Sequence, residues 1–233
     1  MSSEEKLAAA RRPLKSRSTW WAAWLSSRLV RMNVSPNAIS MVSIFFAAIA
    51  AAAFVATRFA ASPLVDAAFF LVAIVGIQGR LLCNMMDGMV AIEGGKRTPG
   101  GELFNEVPDR VADTLILVAA GYAADPEFGP TLGLIAALLA MLTAYVRAVG
   151  KAAGAGSHFV GPMAKPHRMF ALTLACVGAA AEESFGGSTL GRLGVISIAL
   201  IVVCLGSILT VWRRLLRIVT DLRAGSDKNT PSS

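Results

Sequence analysis

The sequence predicts an all-α integral membrane protein, a bundle of six transmembrane helices preceded by an amphipathic helix in the membrane interface. Of its 233 residues, 55% are hydrophobic and 16% are charged, and the mean hydropathy is +0.60. That composition is typical of membrane proteins and not of soluble domains. The apolar residues form six stretches, each close to the roughly 20 residues that a helix needs to cross a bilayer. A short segment rich in tryptophan precedes them.

The N-terminal region divides into two parts. Residues 1–19 are polar and basic and contain no apolar core of a signal peptide, so we expect a cytosolic segment. In 20–31, three tryptophans and two leucines recur at helical spacing beside Arg28 and Arg31. This pattern predicts a helix lying in the membrane interface, and it favours simple anchoring over a part in catalysis.

The membrane domain is expected over residues 32–223, and 224–233 are expected to form a disordered tail. Four prolines stand at or near predicted helix starts, where a missing N–H is harmless. After Trp212 the basic residues indicate that the last helix continues beyond the membrane. The predicted spans are 36–58, 64–92, 101–123, 130–151, 166–182 and 189–212, and the prolines are Pro36, Pro63, Pro130 and Pro166.

The orientation follows from the basic residues, which cluster before the first span, in 93–100, in 147–168 and after Trp212. The positive-inside rule then places both termini in the cytoplasm, and an inner or plasma membrane is expected. The same bias and contact with anionic lipid account for the net charge of +7, so nucleic acid is not an expected partner. Three cysteines lie in apolar runs without metal-type spacing and are expected to be buried free thiols: Cys83, Cys176 and Cys204.

Oxygen-bearing side chains are concentrated at the end of the second span. On a helix, Asn84, Asp87, Gly88 and Ala91 share one face, because they are separated by three or four residues. A charged side chain facing lipid costs roughly 3 kcal/mol on insertion scales, so carboxylates at this depth indicate function.

A second stripe begins the third span, where Gly101, Asn105, Asp109 and Asp113 recur at steps of four. If the two faces meet, their oxygen atoms surround a site suited to a hard divalent cation. The glycines leave space for a ligand to approach the backbone.

These residues resemble the signature of the CDP-alcohol phosphotransferases, D-x2-D-G-x2-A-R-x8-G-x3-D-x3-D. Asp87-Gly88, Ala91, Gly101 and Asp109 fall in register with it without a gap. The run Asp109-Arg110-Val111-Ala112-Asp113 is most similar to the phosphatidylinositol-phosphate synthase branch, which identifies Asp109 as the fourth signature acid.

Two further segments carry the resemblance, which extends from about residue 33 to 170. Ser35-Pro36-Asn37-Ala38-Ile39-Ser40 resembles the P-N-x-[IL]-[ST] opening of the first transmembrane helix in the family. Tyr145-Val146-Arg147, Gly161 and Lys165-Pro166-His167-Arg168 resemble its Y-x-R … G … R-x-x-R segment.

The resemblance implies a transferase of phospholipid biosynthesis. A CDP-linked lipid, most often CDP-diacylglycerol in this family, would donate a phosphatidyl-type group to an alcohol or polyol-phosphate acceptor, with release of CMP. It implies a Mg²⁺ or Mn²⁺ cofactor, contact with membrane lipids and a homodimer. The implied roles are Asp109 as general base; Asn84, Asp87, Asn105 and Asp109 as metal ligands; and Asn37, Gly88, Ala91 and Gly101 as nucleotide-binding residues.

The sequence departs from the signature at three positions. Asn84 and Asn105 replace the first and third aspartates, and Ile92 replaces the arginine. Asparagine still ligates hard cations through its carbonyl oxygen, but each change removes a negative charge, so the number of metal ions, one or two, stays open. The glycine-rich stretch 93–101 is either a flexible connection or a phosphate cradle in which Lys96 or Arg97 supplies the missing charge.

Three basic residues are expected to bind the phosphate of a substrate: Arg147, Lys165 and Arg168. Positive-inside topology alone also places basic residues there. Asp113 and Arg110 are expected to support the site, and Glu106 is spaced to pair with Arg110 as a structural contact.

Three functions remain compatible with the sequence. The first is an active transferase with unusual metal ligands, and the second is a protein of this type that binds a nucleotide-lipid or metal without turnover. The third is a small transporter that uses Asp87, Asp109 and Asp113 as a relay.

Overall fold

The computed structural model describes residues 19–95, 100–156, 159–185 and 194–228. Within these ranges the chain is helical and contains no strand, which confirms the all-α prediction. A 3₁₀ turn, Thr57–Phe59, follows the second of the described helices. The helices are α1 (Trp20–Arg31), α2 (Pro36–Ala56), α3 (Pro63–Glu93), α4 (Gly101–Ala123), α5 (Gly129–Ala152), α6 (Lys165–Phe185) and α7 (Gly194–Lys228).

The helix starts follow the capping residues that precede them. Ser35 accepts a hydrogen bond from the backbone N–H of Ala38 at 3.1 Å, and Ser62 accepts one from Val65 at 3.4 Å. Each serine is followed by a proline in the first helical position, as expected from the missing N–H of proline. Pro130 and Pro166 are the second residues of α5 and α6.

Helix α7 is longer than its predicted span. It runs to Lys228, so the segment 224–233 predicted as a disordered tail is helical over 224–228. Residues 213–224 contain neither glycine nor proline, so no local signal ends the helix where the apolar stretch ends. The predicted start of this span at 189 lies outside the described residues.

Four of the described helical stretches are long and apolar enough to cross a membrane: Pro36–Phe59, Pro63–Glu93, Gly129–Ala152 and Gly194–Ala224. Helices α4 and α6 are not among them. Helix α4 carries Glu106, Asp109, Arg110 and Asp113, and α6 begins with a lysine and an arginine. Six spans therefore stay a prediction.

The helices pack through small residues. Helix α2 packs on α3 and α4, α4 on α5, α3 on α6, and both α5 and α6 on α7. Small side chains let helix backbones approach closely, which is how helices associate in a membrane. The alanines with no exposed surface include Ala47, Ala50, Ala73, Ala112, Ala120 and Ala136.

Helix α1 packs across α3 and forms a separate apolar cluster with it. Its Ala22 is buried together with Met86 and Met89 of α3. The outer side of α1 exposes Trp20 at 82% and Trp24 at 57%. Exposed tryptophans on one face are compatible with the predicted interfacial anchor.

Helices α4 and α5 approach each other closely at glycines, among them Gly121 and Gly133. A Cβ atom at Gly133 would lie 2.7 Å from the carbonyl oxygen of Leu117 and 2.8 Å from Cα of Gly121. Both neighbours are backbone atoms, so they cannot turn away as a side chain can. Only glycine fits here without separating the helices.

An ion-pair network joins α3, α4 and α6. Arg80 has no exposed surface and donates to Oδ1 of Asp113 at 2.6 Å. Arg168 is 1% exposed and donates to Oδ2 of Asp113 at 2.7 Å and to the carbonyl of Met163 at 2.9 Å. Asp113 thus holds two buried arginines from two other helices, and we call these three residues the Asp113 lock.

We predict that Gly133→Ala destabilises the protein, because overpacking of this kind typically costs about 1–3 kcal/mol. Thermal unfolding of the purified protein in detergent measures the effect. Gly100→Ala is the matched control, since its Cβ would meet the ring of Phe104 at an ordinary 3.9 Å. Equal midpoints for the two variants would contradict the close helix approach.

We predict a larger loss of stability for Asp113→Asn. Removing one partner of a buried ion pair typically costs about 3–5 kcal/mol, and here two guanidinium groups lose their carboxylate. Detergent melting curves compare this variant with Glu127→Gln, which removes an exposed carboxylate from the α4–α5 connection. A midpoint for Asp113→Asn equal to that of the control would show that the lock does not stabilise the fold.

Candidate functional site

The two polar faces predicted on α3 and α4 meet. The amide nitrogen of Asn84 on α3 donates a hydrogen bond to Oδ1 of Asp109 on α4. Asp109 is 3% exposed and Asp87 is 4% exposed. Because a buried carboxylate is costly unless it is paired, the partners of these groups define the site.

Lysine 165, the first residue of α6, inserts between the two faces. Its ammonium group donates to the side-chain oxygen of Asn84 and to Oδ2 of Asp109. The Asn84 amide therefore presents its oxygen to the lysine and its nitrogen to the aspartate. We call Asn84, Asp109 and Lys165 the ammonium cluster.

Asp87 has a different partner. Its Oδ2 accepts a hydrogen bond from the hydroxyl of Ser40 on α2 at 2.7 Å, and both residues are buried. Among the described residues, Asp87 forms no ion pair with a basic side chain within 4.0 Å. Its carboxylate is thus held by a neutral donor and stays on the polar face of α3.

Arg80 connects the ammonium cluster to the Asp113 lock. Its guanidinium group lies 3.4 Å from both the carboxylate and the backbone carbonyl of Asp109, in addition to its short contact with Asp113. Two nitrogens of this guanidinium, Nε and Nη1, are buried and make no hydrogen bond to the part of the chain that the structure describes. These N–H groups give Arg80 unused donor capacity next to the acids.

Glu106 orders the basic residues near the start of α4. Its two oxygens accept hydrogen bonds from Arg110 at 2.9 Å and from Arg147 at 2.6 Å. The pairing of Glu106 with Arg110 is therefore as predicted, and the contact with Arg147 of α5 is an addition. Arg147 also lies 5.1 Å from the ring centroid of Phe159 in a cation–π contact.

The residues predicted to bind phosphate all have carboxylate partners. Arg147 pairs with Glu106, Lys165 with Asp109, and Arg168 with Asp113. A phosphate that binds here has to share or replace these partners. Arg168 is 1% exposed, whereas Arg147 and Lys165 are partly accessible, so their assignment as phosphate ligands stays a prediction.

The other predicted site residues lie around the acids. Four are partly buried: Asn37, Gly88, Ala91 and Gly101. Asn105 is exposed, although it lies one helical turn before the buried Asp109. Lys96 and Arg97 are outside the described residues.

The donor set does not fit a centre of two divalent ions. Within the described ranges, no three histidine, cysteine, aspartate or glutamate side chains are grouped to hold a metal ion. An ammonium group contacts two of the four predicted ligands, and both oxygens of Asp109 accept hydrogen bonds. A divalent ion ligated by Asp109 would have to displace Lys165.

Sequence reasoning missed two contributors, Arg80 and Ser40. Arg80 lies four residues before Asn84, on the same face of α3. This spacing, together with the charge of Arg80 in an apolar run, could have predicted that Arg80 belongs to the site. Ser40 is in the segment that resembles the family opening, but only the packing of α2 on α3 shows that it bonds Asp87.

The three predicted free thiols are confirmed, since Cys83, Cys176 and Cys204 are buried and form no disulfide. They lie within the helix packing and do not contribute donors to the acids.

No model of a known protein family matches the sequence, and no curated protein matches it. Solved structures of the phosphatidylinositol phosphate synthase PgsA1 from Mycobacterium tuberculosis do resemble the fold. The structure with CDP-DAG bound has a TM-score of 0.62 at 17% identity, covering 83% of this chain and 91% of that one. The complex with manganese and citrate has a TM-score of 0.63 at 18% identity, covering 84% and 88%. The apo form has a TM-score of 0.59 at 18% identity, covering 84% and 95%.

The match spans nearly the whole synthase and most of this chain, so the shared feature is the complete helical arrangement. At this level of identity the comparison establishes the fold, and it agrees with the motif resemblance from residues 33 to 170. The fold of this chain is that of a CDP-alcohol phosphotransferase, the family that its sequence resembles.

Proposed function

We propose that the chain is a membrane-embedded transferase of the CDP-alcohol phosphotransferase type. It moves a phosphatidyl-type group from a CDP-linked lipid, CDP-diacylglycerol first among the candidates, to an alcohol or polyol-phosphate acceptor and releases CMP. The observation that carries the proposal is that the polar faces of α3 and α4 meet through Asn84 and Asp109, with Asp87 buried one turn after Asn84 on α3. Asp87 and Asp109 are two of the four signature acids, in a fold shared with a synthase whose solved structure has CDP-DAG bound.

The proposed chemistry uses the charges already in the site. Lys165 contacts Asp109 and is partly accessible, so its ammonium group can stabilise negative charge on a pyrophosphate bound beside it. The alcohol attacks the β-phosphorus, the bond to the CMP oxygen breaks, and CMP leaves. Cleavage of the pyrophosphate supplies the driving force, so no ATP is consumed.

Asp109 takes the proton of the attacking alcohol in this proposal. In the structure both its oxygens accept hydrogen bonds, and Lys165 holds one of them. When Lys165 shifts its ammonium to a phosphate oxygen, that carboxylate oxygen becomes available to the alcohol. Substrate binding thereby exposes the base at the moment when it is needed.

A divalent ion, Mg²⁺ or Mn²⁺, is proposed as a cofactor because the sequence resembles a metal-using family and the PgsA1 structure contains manganese. Asp87, which bonds the neutral Ser40, is the signature acid best placed to bind it. Such an ion would offset charge on the pyrophosphate.

The membrane arrangement is proposed from the sequence. Six spans with both termini in the cytoplasm put the end of α3 and the starts of α4 and α6 on the cytosolic side. The lipid donor then enters laterally from that leaflet. A homodimer is part of the proposal on the resemblance alone.

The relay alternative is less well supported than the transferase. A proton relay needs carboxylates that exchange protons readily. Asp113 is instead bonded through both oxygens to buried arginines, so neither oxygen is free to pass a proton on.

We predict that the purified chain releases CMP from CDP-diacylglycerol with one member of a panel of polyols and polyol phosphates. Asp109→Asn should lower the rate by about 10²–10⁴-fold, the usual contribution of a general base. Asp87→Asn should also lose activity, while Glu127→Gln should retain it. Chromatographic detection of CMP, with Mg²⁺ or Mn²⁺ against EDTA, makes the measurement.

Three outcomes would contradict the transferase. Retention of the nucleotide-lipid without CMP release would indicate a binding protein. Ion flux across liposomes without CMP release would indicate a transporter. CMP release that survives Asp109→Asn unchanged would remove Asp109 from the reaction.

A further inference from the structure

The ammonium cluster places a fixed cation where the resemblance predicts a metal ion. Lys165 contacts Asn84 and Asp109, which are the first and fourth positions of the predicted ligand set. Its side chain is 19% exposed, and that of Asp109 is 4% exposed. The lysine is therefore held inside the site and is not a solvated surface residue.

Asn84 matches the lysine in a way that aspartate would not. Its amide oxygen accepts from Lys165 while its amide nitrogen donates to Asp109. A carboxylate at position 84 has no donor for Asp109, so two negative groups would face each other across the same contact. The asparagine thus bridges an ammonium group and a carboxylate, and it needs no metal to do so.

The surrounding charges are already balanced. The carboxylates of Asp109 and Asp113 form ion pairs with Arg80, Lys165 and Arg168, and Asp87, which lies nearby on α3, is bonded to Ser40. Counted formally, the three carboxylates and the three cationic groups cancel. Two divalent ions would add four positive charges to a site that has two aspartates fewer than the family signature.

We infer that the Lys165 ammonium replaces one of the two divalent ions of the signature site, so that the chain binds at most one divalent ion, at Asp87. This inference rests on the proposed function, because the role of the fixed cation is to stabilise the pyrophosphate of the same CDP-linked substrate. Its test measures ion binding without turnover.

The experiment titrates the purified full-length chain in detergent with Mn²⁺ and follows free Mn²⁺ by electron paramagnetic resonance. The wild-type chain should bind no more than one Mn²⁺ per chain. Lys165→Gln combined with Asn84→Asp removes the ammonium and restores a carboxylate, so it should bind one ion more than the wild type. Lys151→Gln, which removes an exposed lysine, should bind as the wild type does.

Lys165→Gln alone should raise Mn²⁺ affinity by about tenfold or more, because Asp109 loses a competing cation. Lys165→Arg should bind as the wild type does, since it keeps the positive charge. Thermal melting establishes that each variant is folded.

Binding of two Mn²⁺ by the wild-type chain would overturn the inference, even if every variant fails to fold. A folded double variant that binds no more Mn²⁺ than the wild type would also overturn it. The CMP assay tests the proposed function separately. If the wild-type chain binds two Mn²⁺ and releases CMP, only this inference is wrong. If it binds one Mn²⁺ and releases no CMP, only the proposed transferase activity is wrong.

Discussion

The structure depends on how three buried charges satisfy one another in an apolar bundle. Arg80 and Arg168 reach Asp113 from α3 and α6, and each occupies one of its oxygens. Without water, a guanidinium group that lost this carboxylate would remain an uncompensated charge. The Asp113 lock therefore fixes the separation and rotation of α3, α4 and α6. Because these helices carry the other polar groups, the lock also sets the geometry of the site.

The ammonium cluster lies one turn along α4 from the lock, and Arg80 of the lock also contacts Asp109 of the cluster. Because Arg80 contacts both Asp109 and Asp113, the group proposed to do chemistry is supported by the group that holds the helices together. The neighbouring pairs at Glu106 keep further cations close to the start of α4. The basic side chains of the site are thus paired with carboxylates. An anionic group that bound here could replace a carboxylate as the partner of a basic side chain.

This view also changes the meaning of the asparagines. As losses from a four-aspartate signature, Asn84 and Asn105 suggest a weakened metal site. In the structure they differ: Asn84 bridges a lysine and an aspartate, whereas Asn105 is exposed. The asparagine at position 84 is thus part of the ammonium cluster, whereas the asparagine at position 105 makes none of the contacts described for the site.

The sequence by itself determined the helices and the residues that could carry chemistry. Hydropathy and the prolines located the elements, because these signals are local, and the spacing of Asn84, Asp87 and Asp109 placed them on helix faces. Only the tertiary structure decided which charges pair. Arg80, Lys165 and Arg168 are equally basic in the sequence, but partners separated by 29 to 56 residues are set by helix packing. The physical reason is that an ion pair depends on a few ångströms between side chains of different helices, a distance that no local pattern encodes.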